Sequence, residues 1–441
     1  MSVRGQASGP AAVREIAAAN RRGETVALAS VCSAEPAVLE TALRRAAARD
    51  TLVCIESTCN QVNQDGGYTG MTAARFRDEV ASLAAAAGLA PGRLIVGGDH
   101  LGPYPWRDRP AAEAMAAARE LVRSCVLAGY AKLHLDTSMH CADDGREGDA
   151  LPEEQITARA ADLCRAAEEA RTELPAGAPA PVYVIGTEVP APGGETATAG
   201  GPAVTPAADV ERTLGLTQAA FDAAGVAAAW ERVVAVVVQP GVEFGDETVV
   251  DYDRDAAAGL ASALSTCPGV VFEAHSTDYQ RPQALRELVE DHFGILKVGP
   301  WLTFALREAL FALEAIDGEL SGLHEPARPG VRAALEAAML AQPEYWRPYY
   351  SGDDEGARLA RAFSYSDRCR YYWPRPPVRQ AVDALLGSLR SRAIPPTLLS
   401  QYLPGVYEQV RDGHCGTDPL DLVRAHVERV LDVYGAASGE S

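Results

Sequence analysis

Eight times along this chain of 441 residues, a short apolar run rich in β-branched residues ends on a polar residue and is followed by a segment of helical period. The runs are 26–32, 52–57, 94–99, 132–137, 182–188, 233–239, 270–275 and 295–298. The segments after them, roughly 36–49, 73–88, 110–128, 153–172, 206–225, 254–265, 281–291 and 302–316, are rich in Ala, Leu, Glu and Arg. Such alternation is the mark of βα units around a parallel sheet. Eight of them predict an α/β protein of the (β/α)8 TIM barrel class. An open, doubly wound sheet is the alternative. The even number of units and the lack of a GxGxxG turn after the first run count against it.

Loop lengths indicate which rim carries chemistry. Helix-to-strand connections are short, as at Asp50-Thr51 and Gly129-Tyr130, whereas several strand-to-helix connections are long and polar: 58–72, 101–110, 138–152, 189–205 and 240–253. In barrel enzymes the long loops gather at the C-terminal ends of the strands and build the site. The Gly- and Pro-punctuated loop 189–205 is a candidate lid. The pattern changes past 317, so the expected division is a barrel over 1–317 and a helical C-terminal extension packed on it over 318–441. The extension contains an aromatic–arginine cluster from Phe363 to Pro374.

Composition excludes some classes. A net charge of −20 with no basic run argues against nucleic acid, which needs a cationic face. Nine cysteines in irregular spacing argue against a disulfide framework. No stretch is long and apolar enough to span a bilayer, and the first 20 residues lack a signal-like apolar core. The expectation is a reduced, cytoplasmic protein that engages no membrane.

The strand ends deliver Cys32-Ser33, Glu56-Ser57, Asp99-His100, Asp136, Glu188, Gln239, His275 and Lys297 to one rim. A single polar strand end is more often a capping group than a catalyst. A full ring of carboxylates, imidazoles, an amide and an amine is harder to explain that way. His100 and His275, from the third and seventh strands, suit a divalent metal with Glu188 or Gln239 completing the shell. Zinc is the first choice, with manganese or magnesium as alternatives. Asp99, directly before His100, is the candidate acid/base, with Glu188 and Asp136 as further catalytic carboxylates. Glu56, Ser57 and Gln239 are candidate substrate contacts. Ser276, Thr277, Lys297 and Gly299, in the last two loops, offer a place for phosphate. Lys297 could instead form a Schiff base, which the Asp-His and His elements make the weaker choice.

Several of these stretches resemble one family. They are Glu56–Gln64, Gly66–Thr72, Gly97–Pro103, His134–Asp136, Gly186–Pro190, Val238–Phe244, Glu273–Gln280 and Leu296–Pro300, with Ser364–Pro374 in the extension. They are similar to the tagatose-1,6-bisphosphate aldolase non-catalytic-subunit family, whose relatives include tagatose-6-phosphate 4-epimerases. The family is similar to metal-dependent class II aldolases, where an Asp-His dipeptide supplies an acid/base and a metal ligand. Asp99-His100 matches that dipeptide and His275 a later ligand, while Gln239 stands where a third histidine would be expected. The resemblance implies a metal-dependent ketohexose-6-phosphate 4-epimerase that works by retro-aldol cleavage and recombination, as a homo-oligomer acting on a phosphorylated ketohexose. The alternatives are a non-catalytic subunit stabilising a class II aldolase chain, or a 4-epimerase of the free ketohexose.

Overall fold

The computed structural model describes residues 7–145, 151–187, 201–267, 269–322, 330–350 and 353–440. Eight parallel strands close a barrel: β1 (Leu28–Val31), β2 (Val53–Thr58), β3 (Leu94–Leu101), β4 (Lys132–Leu135), β5 (Val182–Ile185), β6 (Val233–Val237), β9 (Val271–Ala274) and β10 (Phe293–Val298). β10 pairs with β1 to complete the cylinder. Two short strands, β7 (Glu243–Phe244) and β8 (Val249–Val250), form a separate hairpin in the loop after β6, which the sequence reading treated as plain loop. The chain is therefore a (β/α)8 barrel with a helical C-terminal region.

The outer layer is α2 (Pro36–Arg49), α3 (Ala73–Ala86), α4 (Ala111–Leu127), α5 (Glu153–Arg171), α6 (Ala207–Ala223), α7 (Ala258–Ser262), α8 (Pro282–Glu290) and α9 (Pro300–Ser321). These helices bury one apolar stripe against the strands and leave charged residues outside. A further helix, α1 (Pro10–Arg21), was not foreseen. Its Ala12, Val13, Ile16 and Ala17 pack against Leu28, Cys54, Ile95, Val182, Val271 and Ile295, so it plugs the N-terminal end of the barrel. The inner volume thus divides into an apolar floor and a polar upper half.

Helix α9 runs to Ser321, so the division expected at 317/318 falls inside it. The extension comprises α10 (Val331–Ala341), α11 (Asp354–Phe363), α12 (Pro376–Arg390), α13 (Pro396–Tyr402), α14 (Pro404–Arg411) and α15 (Pro419–Ala437). One buried ion pair locks it to the barrel. Asp367 accepts from Arg307 Nε of α9 at 2.8 Å and from Thr303 Oγ1 at 2.6 Å, while Arg307 also donates to the carbonyls of Ala362 and Ser364. That clasp holds the aromatic–arginine cluster above the barrel mouth. The nine cysteines form no disulfide. Among the described residues, no helix is long and apolar enough to cross a membrane.

Candidate active site

In a strand the side-chain period is two, so alternate residues enter the barrel. On β4 these are Lys132 and His134, followed by Asp136; on β9 they are Glu273, then His275; on β2 the inward residue is Glu56. All are buried. Gly97 on β3 makes room for them, because a Cβ there would lie 2.7 Å from Glu56 Oε1.

β3 breaks the rule usefully. Its register against β4 shifts between Gly98 and Leu101, where three steps on one strand meet two on the other. This is a one-residue bulge, a device that re-aims side chains. His100 sits inside it at φ 48°, and as a result both Asp99 and His100 line the cavity at the mouth.

The polar groups form one connected cluster. Lys132 Nζ lies 2.6 Å from Glu56 Oε1 and 2.7 Å from Glu273 Oε2. Lys297 Nζ contacts Glu56 Oε2 and lies 2.9 Å from Asp99 Oδ1. His100 Nδ1 is 2.7 Å from Asp136 Oδ2, His134 Nδ1 is 2.9 Å from Asp99 Oδ1, and His275 Nε2 is 3.0 Å from Glu273 Oε1. The rings of His100, His134 and His275 stand 4.8–5.1 Å apart, centroid to centroid. The imidazoles expected from the third and seventh strands therefore meet, with a third from β4 between them.

Charge sets the protonation states. Burial alone would raise the Asp99 carboxyl, yet His100, Lys297, His134 and His275 hold it well below its usual range. Glu273 is likewise held down by Lys132, Lys297 and His275 against its burial. Asp136, buried too, is brought to about 2 by its hydrogen bond to His100 and by the charge there. Burial pushes His275 down to about 4. His100 goes the other way: desolvation opposes its proton, but Asp99 and Asp136 outweigh that and raise it.

The family-model description "D-tagatose-1,6-bisphosphate aldolase subunit GatZ/KbaZ-like" matches residues 13–439. The chain belongs to the GatZ/KbaZ-like family. A crystal structure of a protein described as a probable tagatose 6 phosphate kinase from Sinorhizobium meliloti 1021 is 48% identical, with a TM-score of 0.84 over 93% of this chain and 100% of that one. The YdjI aldolase from Escherichia coli K12 is 12% identical, with a TM-score of 0.43 over 82% of this chain and 95% of that one, too distant to place residues.

Not every residue expected at the rim of this GatZ/KbaZ-like chain reaches the cavity. Asp99, His100, His275, Ser276, Lys297 and Gly299 line it, with Glu56 directly beneath Lys297. Ser57 points the opposite way from Glu56, to a hydrogen bond with Tyr130 OH at 3.0 Å in the helical layer. Gln239 Oε1 accepts from the Gly241 and Val242 amides at 2.8 and 3.0 Å, so it shapes its own loop. Thr277 Oγ1 donates to the Lys297 carbonyl at 2.5 Å and meets Tyr434 OH. The Gly299 amide is taken by Asp278. Glu188, and with it 189–200 of the candidate lid, lies outside the described residues.

Lys132, His134 and Glu273 were absent from the sequence reading of the site. His134 and Glu273 lie two residues, and Lys132 four, before the strand-end group that was read, on the same face. The spacing Lys132-x-His134-x-Asp136 and Glu273-x-His275 carried the signal.

The donor set fits a divalent cation. One ligand atom each from Asp99, His134, Glu273 and His275 lie within 4.8 Å of one another. His134 Nδ1 lies 2.9 Å from Asp99 Oδ1 and accepts from the His100 backbone N–H at 3.2 Å. His134 Nε2 is buried and makes no hydrogen bond among the described residues. Four buried carboxylates (Glu56, Asp99, Asp136, Glu273) against two ammonium groups (Lys132, Lys297) leave two negative charges when the imidazoles are neutral, matching one dication. His100 stands beside this set, its Nδ1 committed to Asp136.

Proposed function

We propose that this chain is a ketohexose-6-phosphate 4-epimerase, interconverting tagatose 6-phosphate and fructose 6-phosphate by retro-aldol cleavage and recombination. The observation that carries the reading is the His100–Asp136 pair, which stands at the mouth of a cavity backed by a cationic and carboxylate cluster. Asp136 fixes the His100 ring through Nδ1, while Nε2, 3.8 Å from Asp99 Oδ2, is left to exchange a proton, the arrangement of a general base with its orienting carboxylate.

His100 takes the proton of the C4 hydroxyl. As the C4–O bond becomes a carbonyl, C3–C4 breaks, and its electron pair moves to the C2 oxygen. The products are a three-carbon enediolate and a three-carbon aldehyde. Lys297 places positive charge near the oxygen that becomes negative, where preorganised electrostatics lower the barrier most. A divalent cation held by Asp99, His134, Glu273 and His275 would supply Lewis-acid stabilisation of that charge. The aldehyde turns its other face, C3–C4 re-forms, and His100 returns the proton to the C4 oxygen, now of opposite configuration. Asp99, the acid/base expected from the sequence, is held too strongly as a carboxylate to be a good base, so the role passes to its neighbour.

The test is the purified chain alone with tagatose 6-phosphate and zinc, manganese or magnesium, followed by NMR. Fructose 6-phosphate is the expected product. No inversion with any metal, and activity only when an aldolase chain is added, would favour a stabilising subunit instead.

A further inference from the structure

We infer that Arg370, carried over the barrel mouth by the C-terminal extension, anchors one phosphoryl group of the substrate. The inference takes the identity of the sugar from the epimerase reading above. The anion site stands on its own observations.

Arg370 lines the same cavity as Asp99, His100, His275 and Lys297. Its Nη1 donates to the carbonyls of Ser366 and Asp367, and its Nη2 to Tyr371 OH at 3.1 Å. Those bonds fix the guanidinium without neutralising it. Two other buried arginines that pin the extension have a carboxylate: Arg307 has Asp367, and Arg361 has Glu336. No carboxylate among the described residues forms an ion pair with Arg370, and the nearby Asp367 is spent on Arg307 and Thr303. The carboxylates that line the cavity with it, Asp99 and Asp278, are engaged elsewhere, by Lys297 and by the Gly299 and Trp301 amides; a desolvated cation with no carboxylate in ion-pair contact is a site for an anionic ligand.

The rival location is already filled. The amides at the start of α9, where barrel enzymes often bind phosphate, donate to the protein's own carboxylate. Asp278 Oδ1 accepts from Gly299 N at 3.0 Å and from Trp301 N at 2.8 Å. Lys297, the second cation lining the cavity, is held by Glu56 and Asp99. Among the described residues that line the cavity, Arg370 is the cation left to meet a phosphoryl group.

The position suits the chemistry. In a ketohexose 6-phosphate the phosphate belongs to the aldehyde half, the half that must turn between cleavage and recombination. Gripping it there prevents escape while C4 changes face, which separates an epimerase from an aldolase.

The test is calorimetric binding of fructose 6-phosphate, fructose and inorganic phosphate to wild type, Arg370→Gln and Arg370→Lys, with released glyceraldehyde 3-phosphate measured during turnover. Loss of a charge-assisted contact is expected to weaken fructose 6-phosphate about 10- to 100-fold in Arg370→Gln. Fructose binding should not change, Arg370→Lys should recover part of the loss, and more triose phosphate should escape per inversion. Equal fructose 6-phosphate affinity in wild type and Arg370→Gln, or an equal loss for fructose, would overturn the assignment. Tight sugar-phosphate binding by wild type without C4 inversion would remove the epimerase reading and leave Arg370 standing.

Discussion

Replacing Lys132 by Met probes the cluster under the site. The side chain is wholly buried, and its Nζ bridges Glu56 and Glu273 at 2.6 and 2.7 Å. Met fills a similar volume but removes the charge, leaving both carboxylates to Lys297. Removing one partner from a buried ion pair typically costs about 3–5 kcal/mol, because the remaining charge stays desolvated. For a chain of 441 residues, unfolding entropy of about 2 cal/mol/K per residue turns that into a fall in Tm of about 3–6 °C. The cycle is closed with Glu273→Gln. Lys132→Met combined with Glu273→Gln removes one of the stranded charges and should melt above the Lys132→Met single variant, a coupling that independent sites would not show. Differential scanning calorimetry of the four proteins at neutral pH measures it. A Lys132→Met variant within about 1 °C of wild type, with no recovery in the double variant, would refute the buried-charge argument.

Three further outcomes follow from the same geometry. Asp136→Asn keeps the shape but loses one of the two charges, Asp99 being the other, that raise His100, so kcat should fall about 10²–10⁴-fold with little change in KM; steady-state kinetics showing less than a threefold change would remove the pair from the mechanism. In the metal-free chain burial brings His275 down to about 4, against an ordinary 6.5. The unfolded chain therefore binds its proton first as pH falls. Stability on its account is complete above pH 6.5 and is lost progressively down to about 4, by as much as about 3 kcal/mol; melting of His275→Asn across that window should show a shallower acid slope, and an identical slope would contradict the shift. Asp367→Ala strands Arg307 in the interface between barrel and extension, so Tm should drop by about 3–6 °C and turnover should fall with the displacement of Arg370; unchanged melting and turnover would show that the clasp is not needed.

The barrel was legible because its strands are apolar runs of the right length, each with a polar stop. The rim was half legible. Asp99, His100 and His275 stand where the apolar pattern breaks, so they draw the eye. Lys132, His134 and Glu273 are embedded within the runs, and only the two-residue alternation reveals that they share an interior with Asp136 and His275. Ser57 turns away because adjacency to a site residue in a strand means the opposite face; Thr277, past the end of β9, is drawn to the Lys297 carbonyl and Tyr434, while Gln239 serves a turn that only the folded loop reveals. Asp99 and His100 escape that rule through the bulge, which no residue between Gly98 and Leu101 announces. Helix α1 was missed because its apolar stripe has no local partner; the barrel floor that it covers is assembled from strands up to about 280 residues away. Arg370 lies in a cluster that was noticed, but its place over the mouth depends on the Arg307–Asp367 clasp.

The central claim is that C4 inverts through cleavage and re-formation of C3–C4 in this cavity. It is tested most directly by turnover of tagatose 6-phosphate deuterated at C4 in ordinary water, read by NMR. Retro-aldol chemistry never breaks the C4–H bond, so the fructose 6-phosphate formed should keep its deuterium at C4 in full. Product that has exchanged that deuterium for solvent hydrogen, or no product at all, would contradict the account.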